Sequence, residues 1–107
     1  MTEREGCEVL RRCFTAAGLA IAERHPLALD AGTVELDGYD AARRVGYEYL
    51  TSEAGDHRTV TPAMRDELER RMAAGELHVL LIDEEDGWTE GSMAQAAERF
   101  LGKVAAL

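Results

Sequence analysis

The run His78-Val-Leu-Leu-Ile-Asp83 sets four apolar residues side by side with no polar alternation. A strand wetted on one side alternates apolar with polar residues, whereas one covered on both sides reads as continuous apolar sequence. The segment therefore needs structure above and below it, which calls for a layered fold of sheet and helices. It is expected to lie centrally in the sheet.

The flanking patterns supply those layers. Leu10, Phe14, Ala17 and Ile21 recur at helical spacing, and Pro26 forces His25 toward an extended backbone, so a helix is predicted from about Glu3 to Arg24. Leu27 to Gly32 reads as a connection that could hold a short strand. Two β-rich runs follow, Thr33–Tyr39 and Val45–Thr51, and the short link Asp40–Arg44 between them favours an antiparallel hairpin. Ser52–Thr59 reads as a loop. Thr61-Pro62 is a helix start, with Met64, Leu68 and Met72 on the buried side and Gly75 as the stop. Ser92 with Gln95 resembles a capping box, and Met93, Ala97, Phe100, Leu101 and Val104 give the last helix its apolar side. The expectation is a single α+β domain of order α-β-β-α-β-α, spanning residues 1–107, with a three- or four-stranded mixed sheet and packed helices.

Charge narrows the function. With 21 acidic against 12 basic residues, the chain carries a net charge of −9. Nucleic-acid backbones and anionic membranes require clustered Lys and Arg, so both are disfavoured as partners; a basic protein or a cation is better suited. Cys7 and Cys13 are the only cysteines. On one helix they would point about 240° apart, which excludes a bridge between them and suggests a reducing, cytoplasmic setting. No secretory signal is readable, and nothing approaches the roughly 20 apolar residues of a membrane span.

Register decides which hairpin side chains meet. Matching Leu36 to Tyr49 or a near neighbour brings Asp37 opposite Glu48, and like charges across a ladder are mildly destabilising. Either water or a cation must offset them. In the first reading, Glu35, Asp37 and Glu48 form the wet side of the hairpin, with Tyr39 lying across it.

In the second reading they are a metal site. Asp37 on one hairpin strand and Glu48 in Gly46-Tyr-Glu-Tyr-Leu50 on the next resemble, together with the order of elements over about residues 3–83, the PD-(D/E)xK nuclease-like core. The resemblance implies a magnesium ion held by Asp37 and Glu48. It also implies a lysine two residues after the Glu, and that position is Leu50, which can neither orient a water nor stabilise transition-state charge. Arg43 and Arg44 belong to the hairpin turn and do not replace it.

Other chemistry is thinner. In an EF-hand frame the Asp83–Asp86 turn would put Ile82 and Met93 at ligand positions, although a magnesium site there stays open. His25, His57 and His78 lack zinc spacing, and His57 beside Asp56 reads as a loop histidine. Gly18 reads as a helix glycine that permits close packing or is merely tolerated. Trp88 either caps the core or anchors a partner. The preferred expectation is a small acidic non-catalytic binding or regulatory protein, of immunity, inhibitor or adaptor type, with no cofactor. It would meet a protein partner through Asp37, Tyr39, Glu48 and Trp88, and hairpin edges could pair two copies into a homodimer. The alternative is a magnesium-dependent nuclease-like enzyme, or its degenerate relative, centred on Asp37 and Glu48.

Overall fold

A computed structural model describes residues 1–52 and 59–107; the Asp56–His57 pair lies outside them. The elements are α1 (Glu3–Ala16), β1 (Ala22–Leu29), β2 (Gly32–Asp40), β3 (Val45–Leu50), α2 (Pro62–Ala73), β4 (His78–Asp83) and α3 (Glu90–Ala105). The α+β class and the mixed sheet are as expected, with one strand more than the predicted order. Strands lie in the order β1-β2-β3-β4; the first three are antiparallel neighbours, and β4 runs parallel to β3.

The first helix is shorter than its periodicity suggested. Gly18 takes φ 91°, the Gly18 N–H bonds to Thr15 O, and the Leu19 N–H bonds back to Phe14 O, which closes the helix end. Gly18 is therefore a terminator, and Ala22–Leu29, read partly as helix and partly as connection, becomes the edge strand β1. Pro26 is tolerated there because an edge strand has amides with no ladder partner to lose.

The position expected for β4 is corrected by the sheet order. It is an edge, and β3 is the strand with a neighbour on each side and every residue buried. A continuous apolar run reports cover above and below; it says nothing of neighbours in the plane. His78 N–H bonds to Arg44 O of the β3 side, so by alternation Val79 and Leu81 address the open edge. Val79 N–H meets Met72 Sδ at 3.3 Å, and Trp88 Nε1 donates to Asp83 O at 2.8 Å. Both ends of the edge are thus blunted by side chains.

Two core clusters sandwich the sheet. On one side α1 and α3 pack over Tyr47, Tyr49 and Ile82, with Phe14 at the junction. On the other, Met64 and Leu68 of α2 meet Leu36, Leu50 and Val79. Thr61 caps α2 as expected, its Oγ1 accepting from Met64 N at 3.2 Å, and Gly75 turns left-handed after it at φ 74°. The α3 capping box is Thr89 with Ser92, three residues earlier than the pair inferred from sequence. Glu67, on the buried side of α2, was not anticipated. Its carboxylate accepts from Asp30 N and Ala31 N at 2.8 Å each and pairs with Arg71 at 2.7 Å, clamping the β1–β2 turn to α2. Those amides and the guanidinium outweigh the opposing effect of burial and hold the Glu67 carboxyl below its ordinary range.

Candidate metal centre

The site begins where β2 leaves β3. Their ladder runs from Asp40↔Val45 to Gly38↔Tyr47 and stops. Continuing the register by one residue would set Asp37 opposite Glu48, as the sequence predicted, but strand alternation slips at this point. Leu36 and Tyr39, three residues apart, share the α2-side cluster, while Gly38 lies under the Tyr47 ring of the α1 side. Asp37 fills the gap with its side chain, and Oδ2 accepts from Tyr49 N at 2.8 Å.

This slip overturns the solvated-hairpin reading. Glu35 is exposed and Asp37 half-buried, but Glu48 is only 1% exposed. On β3 there is no wet face, since α1 covers Tyr47 and Tyr49 while the α2 side encloses Leu50 and, by alternation, Glu48. Tyr39 is also not on a wet surface; at 4% exposed it belongs to the core, its ring 5.1 Å from that of His25. Trp88 is half-buried against the α1–α3 cluster, and its N–H is committed to Asp83. Of the four residues expected to meet a partner, only Asp37 and Glu48 are brought together.

Sequence reasoning missed what α1 adds. Glu3 and Cys7 are one helical turn apart on one face, and α1 lays that face over Asp37. A carboxylate oxygen of Glu3, the Cys7 sulfur and an Asp37 oxygen all lie within 4.8 Å of one another. Their i, i+4 spacing was the available signal, but nothing local says that the turn crosses β2. Glu3, Asp37 and Glu48 also line one cavity of about 310 Å³. Burial, then the negative charges of Asp37 and Glu3, push the Cys7 thiol well above its usual range, so it stays protonated and donates toward Asp37.

As donors, the carboxylates of Glu3 and Asp37, with Glu48 lining the same cavity, suit a hard divalent ion such as magnesium or manganese, and the protonated Cys7 stands beside them as a hydrogen-bond donor rather than a ligand. What the arrangement lacks is the lysine of the nuclease-like pattern. Leu50, at that place, is 1% exposed and packed with Leu36 and Leu68. The acidic turn Asp83–Asp86 is a separate feature at the end of β4: a single 3-10 turn over Glu84–Asp86 in which Asp83 Oδ1 accepts from Glu85 N at 3.0 Å. Among the described residues, no helix is long and apolar enough to cross a membrane.

No family model matches the chain, and neither a curated protein nor a solved structure shows significant similarity to it.

Proposed function

We propose that this chain is a divalent-cation-binding protein built on a core like that of the PD-(D/E)xK nucleases, and that it acts by binding rather than by cutting nucleic acid. The observation that carries the reading is the convergence of Glu3, Cys7 and Asp37 beside the buried Glu48. Helix α1, the β2–β3 pair, α2 and β4 are compatible with the order of elements in that core, with β1 as a strand beyond it. Leu50 in the core argues against lysine-assisted hydrolysis by the pattern's usual route. The net charge of −9 argues against a polyanionic substrate.

Manganese should raise the melting temperature of the wild-type chain, and Asp37→Asn should abolish that rise while keeping the fold. An equal rise in both proteins would place the ion elsewhere and sink the assignment.

Beyond the cleft, the reading extends to a basic protein partner. Asp66, Glu69, Asp83 and Glu85 border one surface groove of about 490 Å³ in which Arg65, paired with Asp83, is the only cation among the described residues. Such a field accelerates encounter with a positive surface and is screened by salt. Partner capture from host lysate should therefore fall as ionic strength rises; recovery that is indifferent to salt would remove the electrostatic basis of this extension.

A further inference from the structure

Tyr47 ends in a hydroxyl for which the fold itself has no use. The residue is 1% exposed, its ring centroid 4.9 Å from that of Phe14, and its O–H makes no hydrogen bond among the described residues. Burying a hydroxyl without a partner is costly, and phenylalanine would fill the same space without that cost. The direction of the ring shows where the hydroxyl is spent. Glu23, Gly38 and Tyr47 form one row across β1, β2 and β3. Gly38 has no side chain, so the Tyr47 ring lies over it; a β-carbon there would overlap Cε2, Cζ and the hydroxyl oxygen. The hydroxyl is thereby carried along the row toward β1, at a cavity of about 530 Å³ that Tyr47 lines. Burial, more than the nearby charges of Asp37 and Glu23, raises the phenol above its usual range, so it stays neutral and offers both a donor and an acceptor.

The walls above that hydroxyl carry both signs of charge, interleaved. Arg11 binds Glu8 at 2.6 Å and stands 3.8 Å from Glu23, and Arg4, Arg24 and Asp37 border the same space. In all, four carboxylates and three guanidiniums line it and largely cancel. An anion entering here meets the carboxylates and a cation meets the guanidiniums. A ligand hydroxyl, by contrast, donates to the first and accepts from the second. The volume lies within the roughly 300–1,000 Å³ of small-ligand sites. We propose that this cavity binds a neutral polyhydroxylated molecule, one or two sugar rings in size, anchored by a hydrogen bond to the Tyr47 hydroxyl. The ring faces of Tyr47 are taken up by Phe14 and Gly38, so the contact is made through oxygen and not by stacking. No ion takes part, and the inference stands apart from the cation-binding reading.

Saturation-transfer NMR on the full chain tests this in the presence of a chelator, with glucose and maltose as probes and glycine betaine as a zwitterionic control. At least one sugar should receive transfer on its ring protons, with a dissociation constant in the millimolar range or tighter, and betaine should not displace it. Tyr47→Phe keeps the ring over Gly38 and against Phe14, so its melting temperature should not fall. Its sugar affinity should drop about threefold to tenfold, the worth of one hydrogen bond. Glu23→Ala, at an exposed position of the edge strand, removes an acceptor from the wall and should weaken binding in the same direction. Absence of binding by both sugars overturns the inference, as does a sugar affinity that Tyr47→Phe leaves unchanged. Displacement by betaine would make this a site for charged ligands and overturn it equally. Because the chelator removes divalent ions, each of these results leaves manganese binding to be decided by its own titration.

Discussion

Replacing Phe14 with alanine is expected to lower the unfolding free energy by about 3–5 kcal/mol. The ring is 0% exposed, with its centroid 4.9 Å from that of Tyr47 in β3 and 5.9 Å from that of Phe100 in α3. It therefore lies where the helix layer meets the sheet, and truncation removes its transfer energy and leaves a hole between three elements. Phe14 also supplies the carbonyl that closes α1, but a main-chain acceptor survives the substitution, so the loss is one of packing. Urea unfolding at constant slope measures it. A change below about 1 kcal/mol would mean that neighbouring side chains collapse into the space, and that α1 is held chiefly by other contacts.

Gly6→Ala should destabilise the protein although alanine is the better helix former. Propensity favours alanine by about 1 kcal/mol. Against this, a β-carbon at Gly6 would overlap Cε2 and Cδ2 of Tyr49 and come within 3.3 Å of the Met93 methyl. Tyr49 is 2% exposed and Met93 0% exposed, so neither can swing aside into solvent. Overpacking of this kind costs about 1–3 kcal/mol, which outweighs the propensity gain in most of that range. The same clash should lift α1 from β3 and draw Glu3 and Cys7 away from Asp37. Manganese affinity should then fall by more than the loss of stability accounts for, as read by titrating the variant well below its melting temperature. A stabilised Gly6→Ala protein would show that α1 stands farther from the sheet than described.

Some features were written locally and could be read locally. Thr61-Pro62 and Gly75 bound α2 because a cap oxygen, a missing amide and a left-handed turn act within a few residues. The Asp40–Arg44 turn and the matched apolar residues around it gave the hairpin register. Other features misled for definite reasons. β1 is an edge strand of mostly exposed residues containing Pro26 and a left-handed Arg24, so it has no strand signature to read. Glu67 is a buried acid because two turn amides reach it from residues more than thirty positions earlier.

By itself, the sequence determined the class of fold, the bounds of α2, the hairpin register, the absence of a lysine after Glu48, and a net charge hostile to polyanions. These follow from side-chain type and short-range backbone chemistry. Only the tertiary structure decided that β3, not β4, is central, that Glu48 is enclosed, and that Glu3, Cys7 and Arg24 surround Asp37. Alternation tells which way a side chain leaves its strand, but burial depends on what is packed there. Here that is set by α1 settling onto Tyr49 at Gly6 and by β2 breaking step at Asp37.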